Sequence, residues 1–309
     1  LTNFVFSEVR SAIIMSMTKS VFHIEEGTID HCDNMIANTD HSNGYGIIDI
    51  KFNSKEDFKQ ISFSGVNFIS NKFTTSSKDN QNVKGGGGIG LIFRCGDSIE
   101  STTNIPIEVE FNGCHFTSNT ATEHGGCIYY SDESNAKGVT ISTINIIDSE
   151  FKTNIANNKG GCIYIQGSSE LTEVNIKTSK FINSEASKGY GCLYFNLHCD
   201  ISIEDTNIEN NIITTKPSTP SNSVKFDEFG CGGLYIYGHE ETNTISITNS
   251  KINQNEATHN IGGIFIESTK TENVQITINN TEIINNKATN DYSALYLSVK
   301  SNDMTVISE

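Results

Sequence analysis

The stretch Gly125-Gly126-Cys127-Ile128-Tyr129 decides the fold, because it recurs along the chain. Clear copies start at Gly160, Gly191, Gly232, Gly262 and Ser293, and weaker ones at Ser11, Gly46 and Gly90. Self-similarity at a spacing of a few tens of residues is typical of repeat proteins, in which each unit stacks on its neighbours. The sequence therefore predicts a solenoid.

Two further elements accompany the glycine motif. The first is an aromatic or aliphatic residue three positions before an Asn, at Phe68/Asn71, Phe116/Asn119, Phe151/Asn154, Ile208/Asn211, Ile252/Asn255 and Ile283/Asn286, with Ser184 in place of Asn after Phe181. The second, five residues before that apolar residue, is an alternating pair such as Val109-x-Phe111. Each unit of about 30 to 44 residues thus carries three short β-type segments separated by turn residues.

Alternation with a period of two, and no helical pattern, predicts an all-β chain that coils as a parallel β-helix. We expect about eight coils with three short strands per coil, and a rod roughly 40 Å long. Residues 1–309 are expected to form a single β-helix domain that is a fragment of a longer array, because both ends fall inside a coil.

The same alternation assigns faces to the strand after each glycine motif. Ile128 and Tyr130, with their counterparts in later copies, are predicted to point into the coil. The aromatic residues between these pairs are predicted to form a stacked outer row, the candidate interaction face: Tyr129, Tyr164, Tyr194, Tyr235, Phe265 and Tyr296. Stacking between coils explains such a row, and an exposed apolar patch for assembly or ligand binding is the functional alternative.

Cys127, Cys162 and Cys192 share the outward parity and are predicted to lie one above another in successive coils. Disulfides between neighbouring turns and unreacted thiols are both open interpretations of this thiol row. A metal site is disfavoured, because the chain lacks the Cys-x-x-Cys and His-x-x-x-His spacings of zinc proteins. The total of eight cysteines is compatible with an oxidising compartment.

Two insertions lengthen the connection between the Asn and the glycine motif, at residues 72–86 and 212–230. By register they leave the same edge of the rod, four coils apart, which corresponds to about 19 Å. Loops on a rigid scaffold often carry recognition. These two segments are therefore the candidate contacts for a glycan or a receptor.

The chain has 37 acidic against 21 basic side chains and a formal charge of −16, which argues against nucleic acid as a partner. Its apolar runs are far shorter than the roughly 20 residues of a membrane span, so no span is expected in this segment. No cofactor and no metal are expected. Asn279-Asn280-Thr281 is a glycosylation sequon, which makes Asn279 a candidate modification site.

These motifs resemble the repeats of the polymorphic outer membrane protein family, whose signature pairs are Gly-Gly-Ala-Ile/Leu/Val and Phe-x-x-Asn. The resemblance is carried by Gly-Gly-Cys-Ile at 125 and 160, Gly-Gly-Leu at 232, Gly-Gly-Ile at 262 and Phe-x-x-Asn at 68, 116 and 151. It implies a right-handed parallel β-helix of the pectin-lyase-like superfamily, exposed on a cell surface and often part of an adhesin. The chain departs from the family in having Cys or Gly where Ala is usual.

β-Helices also include polysaccharide lyases and hydrolases, which place several carboxylates on one outer strand face. Here such a row is occupied by tyrosine, so no catalytic residue is assigned. We expect a non-catalytic extracellular or cell-surface β-helix, structural or adhesive, that associates with itself or with neighbouring chains. The alternatives are a carbohydrate-active β-helix enzyme, or a glycan- or receptor-binding module that uses residues 72–86 and 212–230.

Overall fold

The computed structural model describes most of the chain. The described residues are 1–10, 13–17, 21–36, 47–52, 60–75, 89–91, 94–95, 105–131, 139–167, 171–187, 189–214, 230–239, 242, 244–258, 261–270, 274–289, 292–300 and 305–307. Throughout these ranges the regular structure is β-strand, with no helix. Accordingly, the described ranges hold no helix that could cross a membrane.

The described strands form four parallel sheets, numbered here in the order in which each coil visits them. Sheet 1 consists of Val21–Glu25, Gln60–Ser64, Ile105–Asn112, Val139–Ile147, Glu173–Lys177, Asp200–Glu204, Thr244–Thr248, Gln275–Asn279 and Thr305–Ile307. Sheet 2 consists of Val5–Ser7, Thr28–Asp30, Asn67–Ile69, His115–Thr117, Glu150–Lys152, Lys180–Ile182, Asn207–Glu209 and Lys251–Asn253.

The other two sheets complete each turn of the chain. Sheet 3 consists of Asp33–Ile36, Lys72–Thr75, Thr120–Ala121, Ile155–Ala156, Glu185–Ala186, Ile212–Ile213, Glu256–Ala257 and Lys287–Ala288. Sheet 4 consists of Ile13–Met17, Ile48–Phe52, Ile89–Leu91, Arg94–Cys95, Ile128–Ser131, Ile163–Gln166, Leu193–Leu197, Leu234–Gly238, Ile264–Ser268 and Leu295–Val299. Each strand pairs in parallel with its counterpart one coil away, so the chain is a parallel β-helix.

Eight coils can be counted from the strands of sheet 1, numbered coil 1 to coil 8. They begin at Val21, Gln60, Ile105, Val139, Glu173, Asp200, Thr244 and Gln275. Strands of partial coils flank them, with Val5–Ser7 and Ile13–Met17 beside coil 1 and Thr305–Ile307 beside coil 8. The predicted parallel β-helix of about eight coils is confirmed.

The prediction of three strands per coil is wrong, because a fourth short strand follows the Asn position and forms sheet 3. In coils 3 to 8 this strand has only two residues, such as Thr120–Ala121 and Ile155–Ala156. Its inward residue is usually Ala, as at Ala121, Ala156 and Ala186. Two residues are too few to show an alternating pattern, and Ala is not a residue typical of strands.

Identical side chains stack on one another inside the rod. The rings of Phe68, Phe116, Phe151 and Phe181 follow each other with centroid separations of 4.5 to 4.6 Å and nearly parallel planes. All four are fully buried in one continuous interior core, together with Ile128 and the other inward residues of sheet 4. The predicted inward orientation of Ile128 and Tyr130 is confirmed, since both are at most 1% exposed.

The corner between sheets 2 and 3 is held by a ladder of buried amides, referred to as the asparagine ladder: Asn71, Asn119, Asn154, Asn211, Asn255 and Asn286. The backbone N–H of Asn119 donates to Oδ1 of Asn154 (2.9 Å), and Nδ2 of Asn154 donates to the carbonyl of Phe116 (2.9 Å). The residue just before each Asn, such as Thr153, has a positive φ that turns the chain. Each amide thus satisfies backbone groups that would otherwise be buried without a partner.

A second ladder, of hydroxyl groups, holds the corner between sheets 1 and 2. Its members stand two residues before the stacked Phe or Ile: Ser149, Ser179, Thr206, Ser250 and Thr281. The backbone N–H of Ser149 donates to Oγ of Ser179 (3.2 Å), whose own N–H donates to Oγ1 of Thr206 (3.3 Å). This ladder was not predicted from the sequence, although Ser or Thr recurs two residues before the Phe or Ile in the last five copies.

Candidate functional site

The aromatic row of the candidate interaction face lies on the outer side of sheet 4. Tyr129, Tyr164, Tyr194 and Tyr235 stack with centroid separations of 4.7 to 5.3 Å and planes within 12° of parallel. Phe265 contacts Tyr235 edge to face at 5.1 Å. In-register pairing of neighbouring strands aligns the rings, because each aromatic residue is the direct partner of the next, as Tyr164 is of Tyr194.

The rings are not an exposed patch. Tyr129, Tyr164, Tyr194, Tyr235 and Phe265 are between 2% and 5% exposed. They form a second apolar cluster with Tyr190, Cys231 and Ile261, and Tyr296 packs against its end. The prediction of an exposed apolar face is therefore wrong for these rings, although they do point away from the interior core.

The residues that cover the rings come from the turn between sheets 3 and 4. In coils 3 and 4, a Gly stands three positions before the strand, and the preceding residue reaches over the next coil. His124 lies 4.4 Å from the Tyr164 ring, and Nζ of Lys159 lies 4.8 Å from the Tyr194 ring. The contact of Lys159 is a cation–π interaction.

In coils 5 to 8 the position three before the strand carries a bulky residue instead of Gly. These residues are Tyr190, Cys231, Ile261 and Tyr292. Tyr190 reaches Tyr235 with a centroid separation of 3.9 Å. This covering layer was not predicted from the sequence, although the replacement of Gly by apolar residues in the later copies was a signal for it.

Burial keeps the phenol of Tyr235 protonated. Desolvation, followed by the neighbouring Tyr190 and Tyr194, raises the pKa of Tyr235. A neutral phenol in an apolar layer packs as an aromatic hydrocarbon with a polar tip. In this geometry the aromatic row acts as a second core that holds the coils in register.

The predicted thiol row exists but faces the other way. Cys127, Cys162 and Cys192 are at most 1% exposed and belong to the interior core, whereas outward parity had been predicted. The strict alternation fails because these residues stand at the bend into sheet 4, before the first residue of each strand. The three residues are free thiols, and Sγ of Cys192 lies 3.2 Å from Sγ of Cys162.

The thiol row lies beside the asparagine ladder. Asn119 lies near Cys127, and Asn154 and Ser184 lie near Cys162. Desolvation raises the pKa of Cys127 and of Cys192. Cys127 and Cys192 are therefore protonated in the folded protein and poor nucleophiles.

Asn279 ends a strand of sheet 1 on its outward face and is partly exposed. Of the two insertions, Lys72–Thr75, Ile212–Ile213 and residue 214 are described, and their described strands belong to sheet 3, whereas residues 76–86 and 215–229 lie outside the described residues. Within the described ranges, no group of three or more His, Cys, Asp or Glu is arranged to hold a metal ion.

Comparisons with known proteins returned no match to the chain, whether with family models, curated proteins or solved structures.

Proposed function

We propose that the chain is a non-catalytic β-helix of the cell surface or extracellular space, which serves as a rigid structural or adhesive segment of a larger protein. One observation carries the proposal: the residues that recur from coil to coil are the ones that stack coil on coil. The amides of the asparagine ladder, the stacked Phe rings and the aromatic row from Tyr129 to Phe265 are all buried.

The outward positions of sheet 2, by contrast, change from coil to coil. One outward row of sheet 2 reads Asn67, His115, Glu150, Lys180, Asn207 and Lys251. A protein whose every repeat bound the same ligand group would repeat its surface residues. Repetition confined to buried positions instead favours a scaffold, whose coils all add length and stiffness.

The rod that results is short and stiff. Eight coils at about 4.8 Å each correspond to roughly 40 Å. From coil 3 onward, each coil is tied to the next by four sheets, two side-chain ladders and two stacked apolar layers. Adhesive contacts of such a rod would come from its variable outward residues and from residues 76–86 and 215–229, and not from the buried aromatic row.

Surface labelling tests the location. Intact cells of the source organism are treated with a membrane-impermeant biotin ester, and the chain is recovered with an antibody raised against it. We expect biotin on the chain in intact cells, at the level reached after permeabilisation. Labelling only after permeabilisation would contradict the proposal.

A second assay separates the scaffold from the enzyme alternative. The purified chain is incubated with a panel of plant, fungal and animal polysaccharides, and new reducing ends and unsaturated products are measured. We expect values equal to those of a heat-denatured control. Turnover by the native chain alone would establish the enzyme instead.

A further inference from the structure

The three buried thiols of coils 3 to 5 have no packing requirement that only Cys could meet. In later coils the same position, immediately before the sheet 4 strand, holds Gly233, Gly263 and Ala294. The position is tight, since a Cβ atom on Gly263 would lie 2.2 Å from the carbonyl oxygen of Ala294. Small residues thus suffice there, and three consecutive thiols call for a chemical explanation.

Cys162 lies between the other two thiols, because the N–H of Cys127 donates to its carbonyl (2.8 Å), and its sulfur contacts that of Cys192. Cys162 and Cys192 stand immediately before the paired residues Ile163 and Leu193 of neighbouring strands, and the N–H of Cys162 donates to the carbonyl of Cys192 (2.9 Å). Adjacent paired strands lie about 4.8 Å apart, within the Cα separations of about 4.4 to 6.8 Å that disulfides span. The two sulfur atoms are already 3.2 Å apart.

A break in the asparagine ladder coincides with this pair. Coil 5 carries Ser184 where the neighbouring coils carry Asn154 and Asn211. The amide-to-amide bond that joins Asn119 to Asn154 (3.1 Å) therefore has no equivalent between Asn154 and Ser184, whose hydroxyl accepts only the Asn154 N–H (3.1 Å). Ser184, whose side chain is shorter than that of Asn, lies near Cys162.

We propose that Cys162 and Cys192 form a disulfide that links coil 4 to coil 5, and that Cys127 remains a thiol. The oxidant is a low-molecular-weight disulfide such as oxidised glutathione. One bond forms between the two cysteine sulfurs, the S–S bond of glutathione breaks, and the two thiol protons leave on two molecules of reduced glutathione. Both cysteines are oxidised and glutathione is reduced.

The bond forms before the coils close. Exchange requires a thiolate that a small disulfide can reach, and both sulfurs are sealed in the interior once the protein is folded. The disulfide is therefore a folding-stage modification that stabilises the register of coils 4 and 5. It does not depend on the proposed function, because oxidised glutathione in buffer supplies the chemistry wherever the protein resides.

Peptide mapping tests the pairing. The full chain is refolded from denaturant in a glutathione redox buffer, alkylated with N-ethylmaleimide without reduction, digested and analysed by mass spectrometry. The alkylation is carried out in denaturant, because the three thiols are buried in the folded chain. We expect a cross-linked pair of peptides that contain Cys162 and Cys192, and an alkylated Cys127. Alkylation of both Cys162 and Cys192, or a link from Cys162 to Cys127, would overturn the proposal.

A thermal measurement gives an independent readout. Chain refolded with a reductant should melt about 5 °C below chain refolded with glutathione, because the loop closed by the bond constrains the unfolded chain. Cys162→Ala should abolish this difference, whereas Cys231→Ala, which removes a buried thiol outside the row, should preserve it. Equal melting temperatures for the two wild-type preparations would contradict the proposal, and the peptide map decides even if a variant fails to fold.

Discussion

At the residue scale, Asn154 shows how one buried amide holds a corner of the rod. Its Oδ1 accepts the backbone N–H of Asn119, and its Nδ2 donates to the carbonyl of Phe116. In Asn154→Ala both backbone groups stay buried without these partners. We expect a loss of about 3 kcal/mol in the free energy of unfolding, measured by urea denaturation.

The matched control for this substitution is Asn157→Ala. Asn157 is in the same coil but exposed. Its loss should change the free energy of unfolding by less than about 0.5 kcal/mol. If the two variants were equally stable, the ladder would not be a source of stability.

The aromatic row predicts a specific response to alkaline pH. The unfolded chain releases a tyrosine proton near pH 10, whereas burial, with Tyr190 and Tyr194 nearby, raises the pKa of Tyr235 in the folded protein. Above about pH 10 the unfolded state therefore binds fewer protons than the folded state, and the stability falls as the pH rises. Urea unfolding between pH 8 and 11 should show this fall, with a shallower slope in Tyr235→Phe.

Tyr292→Phe serves as the control for the alkaline series, because Tyr292 is 49% exposed. Its slope against pH should match that of the wild type. A Tyr235→Phe variant with the wild-type slope would show that the ring titrates freely, which would be incompatible with the buried row.

Some residue-scale features were predictable from the sequence and others were not. The inward orientation of Ile128 and Tyr130 follows from local alternation, which pleated backbone imposes on any strand. The burial of Tyr194 does not, because its cover is Lys159, a turn residue of the preceding coil. The inward placement of Cys162 was missed for a related reason, since the bend before the strand breaks the alternation.

At the element scale, strand length determined which sheets could be predicted from the sequence. Strands of sheet 1 such as Glu173–Lys177 show alternating buried positions over five residues. The two-residue strands of sheet 3 carry no such pattern and are defined by their neighbours in adjacent coils. These strands exist because equivalent residues of adjacent coils stack and pair, and this pairing is visible only in the folded structure.

The connection between sheets 3 and 4 offers an element-scale prediction. In coil 5 five residues join Ala186 to Cys192, whereas in coil 6 nineteen residues separate the equivalent Ile213 and Gly233. Replacing residues 215–229 with a single Lys, the residue found at position 188, gives coil 6 the connection length of coil 5. We expect the melting temperature to change by no more than about 3 °C, because closing a shorter loop costs less entropy.

The same variant tests the adhesive role of the insertion. If residues 215–229 contact a glycan or receptor, binding to target cells should fall while the circular dichroism spectrum is retained. The matched control replaces Thr214 with Ala and keeps the insertion intact. An unfolded shortened variant would show that the insertion is instead part of the fold.

At the scale of the whole molecule, the equivalence of the coils means that one of them can be removed. Excising residues 139–172, which is coil 4, brings coil 5 against coil 3. Val109 and Phe111 would then pair with Val174 and Ile176, and Tyr129 with Tyr194, by the registers that each now shares with coil 4. The apolar layers remain continuous, so folding should persist.

We expect the shortened chain to melt cooperatively within about 5 °C of the wild type, because the stability of a repeat protein is close to a sum over repeats and their interfaces. Small-angle X-ray scattering should give a maximum dimension shorter by about 5 Å, the spacing of one coil. Excision of residues 139–158, which do not make up a whole coil, should instead unfold the chain. It places the sheet 1 strand Ile105–Asn112 beside a turn and not beside another sheet 1 strand. If the variant without residues 139–172 also unfolded, the coils would not be interchangeable. This result would contradict their role as equivalent units of a scaffold.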